Sequence, residues 1–323
     1  MFPKLYNRIF SDTIFQKMLT VANIEPRDWE KFQRFFRYAY HMKGEMWTGG
    51  SPILKSSLSR PNYSPETDIF IAEWNRRISG IADVTPELRI ARVMLDWFVH
   101  PAFPRKKVGR ELLKYACERG RRIGAKKAHV CVPEEDKFSR DFFIELGFEE
   151  TRCFIELEAL SAKTIAPAGL IASLELEHFR PGDEALLATT QNRIFFGSWG
   201  FCPNSPEEIR YYLRLTGTKW QEILLCRDDA KITGYFWPHL IVKQGGTTTK
   251  QPWRIHMFGV DPEFQGKGWG KKILSAGLTN LRKRGATSVG LTVDSENSPA
   301  IALYRSFGFK LKSRHFWYEK PLM

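Results

Sequence analysis

Cysteine is scarce in this chain. Cys117, Cys131, Cys153, Cys202 and Cys226 are scattered, odd in number and without a C-x-x-C spacing. That pattern supports neither a disulfide framework nor a zinc ribbon, so a reducing, cytoplasmic setting and no metal are expected. No apolar run reaches the ~20 residues of a membrane span, and Met1-Phe2-Pro3-Lys4 does not begin a secretory signal; no membrane association is expected. Two phosphate-binding spacings are also missing, the Walker G-x-x-x-x-G-K-[ST] and the dinucleotide G-x-G-x-x-G followed about 20 residues on by an acid. No helix-turn-helix, zinc-finger or RNA-binding signature is present. Positive charge, by contrast, is abundant, with a formal net charge of +13. Its densest cluster, Arg105, Lys106, Lys107, Arg110, Lys114, Arg119, Arg121, Arg122, Lys126 and Lys127, reads either as a solvated helix face or as a docking surface for an anion or nucleic acid. With no accompanying motif, nucleic acid is not the expected partner.

The most informative stretch that is present runs Gln265-Gly266-Lys267-Gly268-Trp269-Gly270. It follows an apolar segment ending at Val260 and precedes a helical run from Lys271 to Arg284. Gly266 and Gly268 permit positive φ, which turns successive backbone N–H groups toward one point, and the following helix adds its positive dipole end. A pyrophosphate fits such a nest. Downstream, Ala300, Leu303, Tyr304 and Phe307 have i, i+3, i+4, i+7 spacing, which puts them on one helix face with Tyr304 pointing inward. Ser298 suits the N-cap, Pro299 the first helical position and Gly308 a left-handed C-terminal cap.

Taken together, Val260-Asp261-Pro262-Glu263-Phe264-Gln265-Gly266-Lys267-Gly268-Trp269-Gly270 resembles the V-x-P-x-x-[QR]-x-x-G-x-[GA] loop of the GNAT (GCN5-related N-acetyltransferase) superfamily. Residues 297–309 resemble its N-x-x-A-x-x-L-Y-x-x-x-G-F segment. The resemblance implies that Val260, Gln265, Gly266, Lys267, Gly268, Trp269, Gly270 and Asn297 bind acetyl-CoA. It implies further that the Val260 N–H polarises the thioester carbonyl and that Tyr304 donates a proton to the departing thiolate.

The arrangement occurs twice. Gly109 and Gly270 lie 161 positions apart, as do Gly147 and Gly308, while Gly80 and Gly234 lie 154 apart. The second copy has therefore gained seven residues between Gly234 and Val260, and an enlarged turn over 243–250 is the expected place. A repeat of this length marks two domains, whereas solenoid units run about 20 to 50 residues. The expected division is 1–160 and 170–323, with a packed junction over 159–172. Strands are expected at 68–72, 89–99 and 128–132, and again at 222–226, 232–237, 254–260 and 288–293. The fold class is α/β: two tandem GNAT-like domains, each a mixed central β-sheet flanked by helices.

The two copies are not chemically equal. Pro104, Arg105 and Lys107 replace Gln265, Gly266 and Gly268; Phe143 replaces Tyr304, and Asp136 replaces Asn297. Side chains with a Cβ cost roughly 1–2 kcal/mol each in left-handed conformations, so the first copy is expected to be non-catalytic. Its Arg105 and Lys107 remain able to grip a phosphate through side-chain charge. In the second copy, acetyl transfer to a primary amine needs a route for the amine's proton. An alkyl ammonium is about one part in 2,500 neutral at pH 7, worth roughly 4.6 kcal/mol against attack. Alternation along 254–260 puts Arg254, His256, Phe258 and Val260 on one face. Arg254 stands where some superfamily members carry a glutamate base. His256 is then either the base or a structural histidine. The run 195–201, with Phe195, Phe196, Trp199 and Phe201, is either the wall of an acceptor pocket or ordinary core. The expected acceptor is a small-molecule amine or a peptide amine. A CoA-binding module without turnover and a basic RNA or ribosome partner are the alternatives.

Overall fold

The structure, a computed structural model, describes residues 19–43, 58–160, 175–228, 231–241 and 251–323. Residues 161–172 of the expected junction, the whole 243–250 turn and Met1 to Lys4 lie outside the described residues. The chain divides into two compact units. Unit 1 comprises Met1–Val132, Asp136–Thr151 and Trp317–Met323, and unit 2 comprises Pro133–Glu135 and Arg152–Phe316.

In the first repeat the chain forms β1 (Leu19–Asn23), α1 (Trp29–Lys43), β2 (Ile69–Trp74), β3 (Arg77–Glu87), β4 (Arg92–Val99), α2 (Arg105–Arg122), β5 (Lys127–Pro133), α3 (Lys137–Glu145) and β6 (Glu149–Leu160). The second gives β7 (Glu175–His178), α4 (Glu184–Ile194), α5 (Pro206–Thr216), β8 (Leu224–Asp228), β9 (Lys231–Leu240), β10 (Pro252–Val260), α6 (Trp269–Lys283), β11 (Ser288–Asp294), α7 (Ser298–Ser306) and β12 (Lys310–Pro321). The strand expected at 89–99 starts late because Leu88–Ile90 forms a 3-10 turn that ends with Ala91 at φ 50°.

Unit 1 orders its sheet β1-β2-β3-β4-β5, with the end of β12 beside β5, and unit 2 orders β7-β8-β9-β10-β11-β6 and then the start of β12. The last strands are thus exchanged. From Arg152 onward β6, which belongs to repeat 1 by sequence, pairs antiparallel with β11 along Phe154↔Asp294 to Leu160↔Ser288. The end of β12, which belongs to repeat 2, lies in unit 1, where the Leu322 N–H donates to Lys126 O and Glu319 pairs with Lys127 and His129. Contacts therefore divide the chain differently from the 1–160 and 170–323 boundaries at these two strands.

Each sheet is covered on both faces, which explains the unbroken burial of residues 69–72 in β2 and 232–238 in β9. In unit 2, α6 and α7 bury Ile273, Leu274, Leu278, Leu281, Tyr304 and Phe307 against Phe236, Ile255 and Leu291, while Leu187 of α4 and Ile209 of α5 cover Leu225, Tyr235 and Trp237. In unit 1, Phe32 and Phe36 of α1 lie on Ile69, Ile71 and Ile81.

Both sheets contain one parallel pair that opens partway along. Residue pairing between β10 and β11 stops at Arg254↔Gly290, although both strands continue, and pairing between β4 and β5 stops at Met94↔His129. The two openings differ in the strand that borders them. β4 runs in unbroken register with β3, whereas β10 carries a β-bulge against β9: Ile255 faces Pro238, Met257 faces Trp237, and His256 is the extra residue. One of the seven residues gained by the second repeat is therefore His256.

Candidate active site

The bulge sets which side chains meet at the opening. Before it, Trp253 and Ile255 point toward α6; after it, Phe258 and Val260 do. A bulge shifts alternation by one residue. Hence Arg254, His256, Phe258 and Val260 do not share a face, contrary to the strict-alternation expectation. Phe258 and Val260 stand on the α6 and α7 side, with the Phe258 ring 6.1 Å from the ring of Tyr304. His256 stands on the α4 and α5 side, against Trp237 at 4.8 Å, Tyr212 at 5.6 Å and His239 at 5.9 Å.

At the mouth of the opening the chain makes a 3-10 turn, Pro262–Phe264, capped by Asp261, and then the glycine loop. Gly266 has φ 73° and Gly268, the N-cap of α6, has φ 81°. A Cβ added to either would find no protein atom within 4 Å, so open space lies before both. The N–H groups at the very start of the helix have no intrahelical acceptor, whereas those of Lys271 and Lys272 already donate to Gly268 O. Positive-φ backbone, open space and a helix start together suit a phosphate group. The Gln265 side chain donates to Val260 O at 3.0 Å and fixes the loop to the strand end. Trp269 packs edge-on against Phe264 at 5.7 Å, and Lys267 Nζ lies 5.8 Å from the same ring. Gly270 has another purpose: its missing side chain admits Leu303 of α7, which an added Cβ would meet at 3.3 Å.

Val260 points its N–H into the opening. The Asp261 N–H donates across to Thr233 O, and in an antiparallel ladder neighbouring residues turn their amides to opposite sides. The Val260 amide is consequently aimed away from β9, where β11 has splayed off. Tyr304 is 7% exposed, and burial pushes its phenol well above the usual range. It is a neutral O–H donor throughout the physiological range. His256 is pushed down to about 3 by burial, with His239 and Arg254 adding to the shift, and His239 is pushed down to about 4 by burial and then by Arg254. Both imidazoles are neutral. Asn297, expected as a donor-binding residue, spends its Oδ1 on the N–H of Ala300 and is itself the N-cap of α7, the place expected for Ser298; Pro299 is then at the second helical position. Asp136 caps α3 in the same way in repeat 1, so this role is independent of the loop.

Residues without a place in the sequence-based expectations line the α4 and α5 side. Arg254 reaches Glu156 of β6 at 2.9 Å and also donates to Thr292. Glu156 accepts from Ser313 at 3.0 Å, and His315 and then Arg254 hold its carboxyl far below the usual carboxylate range. The stretch 149–160 is not among the expected strands, and only its alternation could have placed Glu156.

The corresponding place in unit 1 is filled by its own side chains. α2 begins at Arg105, three residues earlier in the repeat than α6 does, so the helix has absorbed the loop. The Arg105 guanidinium lies 4.1 Å over Phe138 and 5.4 Å from Trp97, and donates to Ser139 and Asp136. Trp97, in the place of Phe258, stacks on Phe142 at 5.2 Å and meets Phe143 at 5.6 Å. Much of the basic cluster is also engaged: Lys106 with Glu145, Arg119 with Asp68, Arg121 and Arg122 with Glu118, and Lys127 with Glu319. These pairs favour the reading of a solvated helix face. Among the described residues no group of three or more His, Cys, Asp or Glu is arranged to hold a metal ion, and no helix is long and apolar enough to cross a membrane. A separate cavity of about 300 Å³, lined by Arg193, Lys231, Asp261 and Glu263 among others, lies away from Tyr304's ring contacts.

Two mixed sheets, each with a splayed parallel pair, and one intact glycine loop define a tandem acyl-CoA-type transferase fold. The Acetyltransferase (GNAT) family matches residues 27–148 and 187–309, and the chain belongs to that family as a tandem, two-repeat acetyltransferase. A mycothiol acetyltransferase of Salinispora arenicola is 27% identical over 287 residues, covering 84% of this chain and 88% of that protein. Another, of Thermobifida fusca, is 42% identical over 90 residues, 28% of each chain. A GCN5-related N-acetyltransferase of Sphaerobacter thermophilus shares the fold at a TM-score of 0.69 and 17% identity, covering 94% of this chain and 96% of that one. A tandem GNAT protein from the clavulanic acid biosynthesis pathway does so at 0.69 and 16%, covering 94% and 99%.

Proposed function

We propose that the second repeat transfers acetyl from acetyl-CoA to a primary amine by direct attack on the thioester, and that the first repeat takes no chemical part. The observation that carries this reading is the loop at Gly266 and Gly268, with positive φ and open space before it, ending beside an opening bordered by Val260 and by Phe258, whose ring lies 6.1 Å from that of buried Tyr304. Acetyl-CoA supplies the activated acyl group. The N–H groups of the loop and first turn of α6 receive its pyrophosphate. The Val260 N–H donates to the thioester carbonyl oxygen, where negative charge grows during attack. As the amine nitrogen bonds to the carbonyl carbon, the C–S bond breaks and Tyr304 gives its proton to the leaving sulfur, help typically worth about 10²–10⁴ in rate; the nitrogen sheds its extra proton to water, from which the Tyr304 phenolate regains one. His256, held neutral, accepts a hydrogen bond from the acceptor side but is too weak a base to keep an ammonium proton, which leaves through water.

The name of the relatives, mycothiol acetyltransferase, supports a small-molecule acceptor over a peptide N-terminus. The test is release of free CoA thiol by the full chain across small amines, amino-sugars and peptide N-termini. Release that depends on an amine and falls in Tyr304→Phe is the expected result. Acetyl-CoA binding with no release for any amine would leave a CoA-binding module and overturn the reading.

A further inference from the structure

The donor side of the opening is occupied by α6, α7 and Tyr304, so an amine must reach the thioester from the opposite face, under α4 and α5. This inference rests on that reading of the second repeat. The wall on that face is not built from the second repeat alone. In β6, Ile155, Leu157 and Ala159 are buried toward α6 and α7, so Arg152, Phe154 and Glu156 face the other way. Their register places Phe154 opposite Asp294 and Glu156 opposite Thr292, along the half of β11 that has left β10.

The 195–201 segment spans this opening. At one end Phe195 touches β10: a Cβ added to Gly259 would lie 3.3 Å from its ring. At the other, the Trp199 ring lies 5.8 Å from Phe154 and 6.0 Å from the Arg152 guanidinium. Phe196, between them, is 90% exposed. The charges beside this aromatic wall are already matched. Arg152 pairs with Asp294 at 2.9 Å and with Glu296 at 2.5 Å, and Glu156 pairs with Arg254 and Lys312. A polyamine would find each of these carboxylates already held by a cation, whereas a flat apolar group would find two rings.

We propose that Phe154 of the first repeat, with Trp199, forms the acceptor-contacting wall of the second repeat's site, that Arg152 positions the Trp199 ring, and that the wall selects amines whose nitrogen adjoins a flat apolar ring. The first repeat has lost its own loop but keeps a part in the reaction by lending this strand.

The experiment uses the full chain, the free-thiol assay, and benzylamine and butylamine as probes. The wild type should prefer benzylamine in kcat/KM by about tenfold, the scale of one aromatic contact. Phe154→Ala should remove most of that preference through the acceptor KM, with acetyl-CoA affinity by calorimetry unchanged. Phe154→Leu and Trp199→Ala, each checked by thermal unfolding, guard against a misfolded alanine variant and should reduce the preference in the same direction. A preference for butylamine in the wild type, or an unchanged ratio in the folded variants, overturns this inference and leaves the proposed function standing. No turnover of either probe or of the wider amine panel, despite acetyl-CoA binding, overturns both.

Discussion

The two repeats solve one problem, how to start a helix beside a splayed strand pair, in opposite ways. At 265–269 two glycines hold left-handed φ values and keep the helix from starting until Trp269, leaving N–H groups and open space. At the matched place in unit 1, Arg105 and Lys107 adopt helical backbone, the helix begins at Arg105, and its side chain closes over Phe138 and Trp97. Loss of glycine lets the helix grow into the place that the second repeat keeps open. Arg105, which sequence alone leaves free to hold a phosphate, is occupied by Asp136 and Ser139.

The largest expected effect breaks the comparison at its frame. Deleting Trp317–Met323 removes the repeat 2 strand end that unit 1 uses, including buried Tyr318 and Leu322 and the Glu319 pairs. Stability measured by thermal unfolding should fall by about 5 kcal/mol or more, on the scale of two large buried side chains. A deletion that leaves the unfolding curve in place would contradict the exchange. For the same reason, halves cut between 161 and 174 should not fold independently.

Next is Tyr304→Phe, which makes the second repeat resemble the first at Phe143. The ring stays packed, so thermal stability should hold while turnover falls about 10²-fold or more; full turnover in the variant would assign the leaving group another proton donor. Gly268→Leu should weaken acetyl-CoA binding at least about tenfold in calorimetry, because its φ of 81° disfavours a Cβ and the side chain fills the space before the loop.

Smaller effects separate the histidines. Their folded pKa values, about 3 for His256 and about 4 for His239, lie below the unfolded value near 6.5. Their contribution to stability is therefore full above about pH 6.5 and is lost as pH falls toward 4 and 3. His256→Gln should flatten that acid limb in denaturant titrations, and should change kcat by only a few-fold without moving a rate break near pH 6.5. A shift of such a break would restore His256 as a titrating base.

Much of this comparison is legible in the amino-acid sequence. The offset of 161 residues carries β5 onto β11, α3 onto α7 and β6 onto β12 without adjustment, and the helix periodicity puts Tyr304 in the core. What sequence leaves open has a physical reason. The bulge at His256 changes the face of every earlier residue in β10, and period-2 alternation assumes that no such residue exists. The exchange of β6 and β12 is equally hidden, since alternation specifies an apolar face but not which sheet edge a strand joins. That edge is chosen by tertiary pairs such as Glu156 with Arg254 and Glu319 with His129.

The central claim is that only the second repeat retains a donor site. The direct measurement is the stoichiometry of acetyl-CoA binding to the full chain by calorimetry, for the wild type, for Gly268→Leu and for a variant with Arg105→Gly and Lys107→Gly. One site per chain in the wild type, lost or strongly weakened by Gly268→Leu and not joined by a second in the glycine-restored variant, is the predicted result, since Trp97 still fills the first opening. Two sites in the wild type, or a single site indifferent to Gly268→Leu, would contradict the account.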